Sequence, residues 1–280
     1  MVNIHEPGPF EGRLTHWPML AVSGALEVRL AETDLEVEAA QRLRYRVFYE
    51  EMGALPTPKE QAERRDFDRF DDVCDHLLVV DRAKIEDDGQ PEVVGTYRLI
   101  RDVDAAKVGG FYTSAEYDLA PMLAGLPKGT KLLELGRSCV LKEYRSRPSA
   151  MHLLWRGVMT YVARFSIDLM FGCASFAARN TEELALPLSY LHHFHCAPPE
   201  IRVRALPGLY HSMDLMPKEA IDPKEAVHAL PPLLKGYVRA GAMIGDGAVV
   251  DKQFGSVDVF IYFPVAKIDA RYRSRFGMQV

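Results

Sequence analysis

Apolar positions switch between two spacings along this chain, and one stretch shows both side by side. Leu132 to Leu141 is a short apolar run behind Lys131, and Leu169 to Phe176 is another. Between them Leu153, Leu154, Val158, Tyr161, Val162 and Phe165 recur with a helical period. Strand, basic loop, helix, strand is a βαβ unit, so the two strands are expected to be parallel neighbours. Before this unit, Leu26 to Ala31 alternates as a strand. Thr33 and Glu36 then form a capping box for a helix running to about Met52, with Gly53 as its stop. His76 to Asp81 and Val93 to Arg101 read as a hairpin around the polar turn KIEDDGQPE. After the unit come a helix over Thr181 to Phe194, a short strand from Ile201 to Ala205 and irregular chain from 206 to 222. An amphipathic helix in PPLLKGYVRAGAMIG, begun by Pro and ended by Gly, and an alternating strand from Val257 to Pro264 follow. The last segments suit the closing strands of the same sheet. Residues 1–280 therefore read as one domain, with an irregular arm at 1–23 and a C-terminal extension, 206–280, closing the sheet.

Hydrophobic residues make up 48% of the 280, enough for a sizeable core. A net charge of −5 gives no general attraction to nucleic acid. The four cysteines, 74, 139, 173 and 196, contain no CxxC pair. The first residues lack the pattern of a signal peptide, and no run of apolar residues is long enough to span a membrane. The expectation is a cytoplasmic protein, with transient, peripheral contact to the inner membrane left open. PPLLKGYVRAGAMIG, with Lys235 and Arg239, and the C-terminal Arg271, Arg273 and Arg275 are the segments that suit such contact.

Charges inside apolar elements change the picture, because buried charges are costly unless paired or used. Glu134 and Arg137 interrupt one strand of the central unit, and Arg98 sits in the second hairpin strand. Lys142, Arg145 and Arg147, with Ser146 among them, precede a helix whose first N–H groups lack partners, an arrangement suited to an anion. Arg42, Arg44 and Arg46 read as a solvated face near a helix C-terminus. RRDFDRFDDVCDH carries five aspartates in ten residues, without the ligand order or central Gly of a calcium loop. Carboxylates facing the nearby arginines are the preferred reading. His192, His193, His195 and Cys196 read as packing and surface residues, since a helix sends 192 and 193 to different faces. No metal is expected.

The order of elements resembles the GNAT acyltransferase fold, an α/β (α+β) architecture with a mixed central sheet whose central strands splay apart between flanking helices. That resemblance implies an acyl-thioester arm lying between the splayed strands, with its phosphate on the loop of Lys142, Arg145, Ser146 and Arg147. LRYRVFYEEMG, DRFDDVCDHLLVVD, VVGTYRLI and LELGRSCV are similar to acyl-homoserine-lactone synthases. Their charged positions match Arg44, Asp68, Asp71, Arg98, Glu134 and Arg137, and their aromatic position matches Phe48. Ala54 stands where those synthases carry a tryptophan, which counts against their lactone chemistry. GGFYTSAEYDL, LELGRSCVLKEYRSR, LSYLHH, PPLLKGYVRAGAMIGDGAVVD and FGSVDVFIYFPV resemble the bacterial ornithine-lipid N-acyltransferases, over roughly residues 26 to 276. This implies transfer of a 3-hydroxyacyl chain from acyl carrier protein to the α-amine of ornithine, giving lyso-ornithine lipid. Acylation of glycine, glutamine or lysine is the nearest alternative.

The chemistry so implied needs a neutral amine, a held carbonyl and a leaving thiol. Glu134 is either the base that takes the amine's proton or the ion-pair partner of Arg98 or Arg137. Strand N–H groups around Ser138 to Leu141 suit the thioester carbonyl. Arg44, Asp68 and Asp71 either order the loop over the acceptor or meet its ammonium, while Arg98 or Arg137 suits its carboxylate. No cofactor is implied beyond the 4'-phosphopantetheine of the carrier protein. Outside catalysis, the pattern fits a carrier-protein or lipid-binding module. A membrane-lytic role lacks a pore-forming segment.

Overall fold

The computed structural model describes residues 20–86, 89–146 and 148–268. Of the segments singled out above, most of the N-terminal arm, Arg147, Arg271, Arg273 and Arg275 lie outside the described residues. β1 (Ala21–Ser23) and β2 (Leu26–Leu30) form a first antiparallel pair. α1 (Asp34–Tyr45) starts at the expected capping box, with Thr33 Oγ1 accepting the Glu36 N–H at 3.3 Å and the Glu36 carboxylate accepting the Thr33 N–H at 3.3 Å. The chain continues as a π-helical turn over Arg46–Glu51, and a second capping box, Thr57 with Glu60, opens α2 (Pro58–Glu63) inside the polar stretch.

β3 (Asp75–Ile85) and β4 (Pro91–Arg101) are the expected hairpin, longer than the apolar runs alone suggest. α3 (Asp102–Ala105), β5 (Tyr117–Asp118) and α4 (Ala120–Gly125) lead to the central unit: β6 (Leu132–Val140), α5 (Lys142–Arg145), α6 (Pro148–Phe165) and β7 (Leu169–Phe176). α7 (Ala185–His195), β8 (Arg204–Ala205), α8 (Pro223–Ala229), α9 (Pro232–Arg239), β9 (Met243–Asp251) and β10 (Ser256–Pro264) complete the chain. The strands stand in the order β1-β2-β3-β4-β6-β7-β10-β9-β8-β5. The expected amphipathic helix is therefore shorter than the motif. It stops at Arg239, Gly241 turns the chain at φ +98°, and Met243 onward extends as β9 against β10.

Alternation along β4 assigns the two faces of the sheet. Tyr97 reaches the Tyr237 hydroxyl on α9, whose ring packs against Trp155 of α6. Arg98 points the other way, toward Asp68 and the α1 side. One face is thus apolar and helix-covered, and the other carries the charges.

The sheet comes apart at its centre. β6 and β7 are parallel, as the βαβ reading requires, but their ladder pairs only Leu132, Leu133 and Glu134 with Leu169, Met170 and Phe171. Beyond that point each strand stays with its outer neighbour, β6 with β4 as far as Val140 and β7 with β10 as far as Phe176. Two backbone features sit at the fork. Gly172 has φ +155°, and a Cβ there would lie 2.3 Å from the Leu135 carbonyl oxygen, so only glycine fits. Arg137 has φ +52°, in a register shift where Thr96 faces Cys139 but Arg98 faces Gly136. That is a β-bulge, which re-aims the Arg137 side chain.

Candidate active site

A small cavity opens at the fork. Leu135, Met170, Ile261, Phe263 and Tyr237 line it on the helix-covered side, Phe171 and Cys173 on the charged side, and Gly172 lies between them at the fork. It therefore joins the two faces of the sheet where the hydrogen-bonded ladder stops.

On the charged face three arginines and three aspartates form one buried network. Arg44, with no exposed surface, holds Asp66 Oδ2 at 2.6 Å and Asp71 Oδ1 at 2.9 Å. Arg98 lies 2.7 Å from Asp68 and 3.5 Å from Asp71. Arg137 lies 3.2 Å from Asp66 and 3.4 Å from Asp68. Burial alone would weaken these charges; the facing ions reverse that and hold Asp66 and Asp71 below the usual carboxylate range. His76, buried beside Arg44, is pushed down to about 4 by desolvation and is neutral in this network. The expectation that aspartates face arginines holds here. The reading of Arg44 as solvated is corrected, because its side of α1 is covered by the 66–71 segment. Asp66 joins the network as well, without any local pattern that sets it apart from the neighbouring aspartates.

Aromatic rings frame the outer part of this network. The Arg137 guanidinium lies 4.7 Å from the ring centres of both Tyr112 and Phe254, a stacking that favours a planar cation. Phe48 packs edge-on against Phe254 at 5.6 Å.

Glu134 is 2% exposed and makes no ion pair with Arg98 or Arg137. Its oxygens accept the N–H groups of Tyr112 at 2.9 Å and Thr113 at 2.7 Å. It thereby ties the 3₁₀ turn Tyr112–Ala115 to the fork, and burial outweighs these bonds to raise its pKa. Four residues along that segment, Glu116 accepts a 3.4 Å hydrogen bond from the Cys173 thiol, which lines the cavity. Carboxylate oxygens of Glu116, Asp251 and Asp258 lie within 4.8 Å of one another. Among the described residues no Lys or Arg comes within ion-pair distance of any of the three. Burial, then the neighbouring charges of Asp258 and Asp251, push Glu116 up to about 7; burial chiefly pushes Asp258 up to about 6. No feature of the sequence singled out Glu116, since its two acidic neighbours arrive on β9 and β10.

The remaining candidates scatter. Lys142 and Arg145 lie on the one-turn α5, with Ser146 after it, rather than on a loop. Arg145 donates to the Val140 carbonyl at 2.8 Å and to Glu51 at 2.5 Å, while Lys142 and Ser146 are exposed. The Leu141 N–H donates to the Val94 carbonyl, which removes it from the expected carbonyl-binding set. Ser138, at the bulge, is half-buried. Cys139 is buried and pushed up to about 12 by desolvation, a protonated core thiol. His193 bonds the Met216 carbonyl at 3.0 Å and lies 3.1 Å from Asp214, away from the fork. No helix among the described residues is long and apolar enough to cross a membrane, and α9 buries Leu234 and Tyr237 on the core.

Residues 43–156 match the acetyltransferase (GNAT) domain family. A Brucella abortus protein named L-ornithine N(alpha)-acyltransferase is 53% identical over 256 residues, 91% of this chain and 90% of that protein. The protein of the same name from Rhodobacter capsulatus is 41% identical over 94% of this chain and 98% of its own length. Among solved structures, FeeM, an N-acyl amino acid synthase from uncultured soil microbes, superposes with a TM-score of 0.44 at 13% identity, covering 89% of this chain and 94% of its own. The chain is an acyltransferase and belongs to the L-ornithine N(alpha)-acyltransferase family, with a GNAT domain at its centre.

Proposed function

We propose that this acyltransferase moves a 3-hydroxyacyl chain from the phosphopantetheine thioester of an acyl carrier protein to the α-amine of ornithine, giving lyso-ornithine lipid. The observation that carries the reading is the fork between β6 and β7, apolar on one face and ionic on the other, with a cavity joining the two. An acyl chain suits the first face and an amino acid the second. The names of the relatives support ornithine as the acceptor. So does the trio Glu116, Asp251 and Asp258, whose clustered carboxylates lie beyond ion-pair distance of any described Lys or Arg and suit a substrate with two amines.

In this mechanism Glu116 accepts a proton from the α-ammonium, a task matched by a carboxyl that titrates near neutral pH. Glu134, read from the sequence as either that base or an ion-pair partner of Arg98 or Arg137, instead fixes the 112–113 backbone and so positions Glu116. The freed amine attacks the thioester carbonyl, whose oxyanion is met by strand N–H groups of the bulge. The carbon–sulfur bond breaks, the amine's remaining extra proton passes to the sulfur, and the carrier thiol leaves. Arg137, with Arg98 behind it, meets the acceptor carboxylate. Lys142, Ser146 and Arg147, before the N-terminus of α6, meet the pantetheine phosphate. The test is incubation of the protein with 3-hydroxypalmitoyl carrier protein and a panel of amino acids, with products read by mass spectrometry. The reading requires ornithine to give the main product. A main product from glycine, glutamine or lysine would move the acceptor, and no product from any amine would leave a carrier-protein or lipid-binding module.

A further inference from the structure

The cavity at the fork has apolar walls with one hydroxyl among them. Leu135, Met170, Ile261 and Phe263 supply aliphatic and aromatic surface, and Tyr237 supplies its phenol. Tyr237 is only 4% exposed, and Trp155 and Phe263 meet its ring near edge-on at 5.3 and 6.2 Å. Its hydroxyl is hydrogen-bonded to that of Tyr97, also 4% exposed, on β4 beside the β6 bulge. A pair of hydroxyls thus runs from β4 beside the bulge, where the thioester carbonyl is expected, to the wall of the cavity. A plain hydrocarbon chain would have no use for a polar group there, and desolvating one costs free energy. Burial raises both phenols, so both keep their protons and can donate.

We propose that Tyr237, held by Tyr97, is the residue that recognises the 3-hydroxyl of the acyl chain and gives the enzyme its preference for 3-hydroxyacyl over plain acyl donors. The 3-hydroxyl sits two carbons beyond the thioester carbonyl. It can accept a hydrogen bond from the Tyr237 hydroxyl, the one phenol of the pair that lines the cavity, while Tyr97 donates to the same hydroxyl and holds it in place. A plain acyl chain leaves the pair bonded to each other beside hydrocarbon and gains nothing from it. Selection of this kind is stronger than selection by apolar fit, because hydrogen-bonding sites discriminate against analogues that lack the group.

This inference rests on the 3-hydroxyacyl reading above, and the test separates the two. Initial rates with ornithine are measured for 3-hydroxypalmitoyl and palmitoyl carrier protein, first with the unaltered enzyme. A preference for the hydroxylated donor is expected. No preference would overturn both the donor reading and this assignment before any variant is made. Tyr237→Phe should then lose about tenfold in kcat/KM with the hydroxylated donor, the worth of one buried neutral hydrogen bond, and change little with palmitoyl. Tyr97→Phe should keep the preference or enlarge it, since the Tyr237 hydroxyl then depends on the ligand for a partner. Equal losses on both donors in Tyr237→Phe, or an unchanged preference, would overturn the assignment while leaving the donor reading intact. A preference abolished by Tyr97→Phe would also overturn it, and this arm stands even if Tyr237→Phe does not fold.

Discussion

Replacing Glu116 by Gln should make the protein more stable and less active at once. The carboxyl titrates at about 7 in the folded chain against an ordinary value of 4.5. Between those values the folded state binds more protons than the unfolded state, so stability falls as pH rises through this window. The full penalty is present above pH 7 and absent below pH 4.5. It amounts to roughly 2–3 kcal/mol, allowing for the share carried by Asp258. Glutamine keeps an oxygen for the Cys173 thiol and carries no charge. Glu116→Gln should therefore melt roughly 5 °C higher at pH 8 and no higher at pH 4. If Glu116 takes the amine's proton, the same variant should lose about 100-fold or more in kcat. Differential scanning calorimetry across pH, paired with initial rates, reads both effects. A variant that is destabilised at pH 8, or stabilised equally at pH 4, would refute the burial and like-charge argument. A stabilised variant with normal turnover would refute the catalytic role alone.

Further substitutions probe the fork, the network and the donor site. Gly172→Ala must push its Cβ away from the Leu135 carbonyl in a backbone conformation that disfavours side chains; about 2–4 kcal/mol of stability should be lost, read by urea denaturation, together with most activity. Arg44→Ala leaves Asp66 and Asp71 buried without their main partner and should cost about 3–5 kcal/mol, whereas Arg64→Ala, which removes a surface pair with Glu50, should be nearly neutral in the same melts. Lys142→Ala and Arg147→Ala should each raise the apparent KM for the carrier-protein donor more than they lower kcat; unchanged KM in both would place the phosphate elsewhere.

Elements whose signal is local were legible in the sequence. β7 spans Leu169 to Phe176 as its apolar run does, and the Thr33 capping box depends on residues three apart. β9 was hidden because Gly245, Asp246 and Gly247 interrupt its alternation, and its pairing is supplied by β10. The network residues Arg44, Asp68, Asp71, Arg98 and Arg137 are legible through a family resemblance and meet in space. Composition alone placed Arg44 in solvent, since the aspartates that bury it lie 22 and 27 residues away. Glu134 was chosen as a charge in a strand; what the sequence could not give was the turn whose N–H groups occupy it. Glu116 owes its position to Cys173 and its raised pKa to burial and then to Asp258 and Asp251, surroundings that only the closed sheet creates.

The most direct test of the account is where the new amide forms. Ornithine labelled with nitrogen-15 at the α-amine, incubated with the enzyme and 3-hydroxypalmitoyl carrier protein, yields a product whose fragmentation spectrum identifies the acylated nitrogen. The account predicts an amide on the labelled nitrogen, with the δ-amine free and the carrier thiol released in equal amount. An amide on the unlabelled δ-nitrogen, or thiol release without any amide, would contradict it.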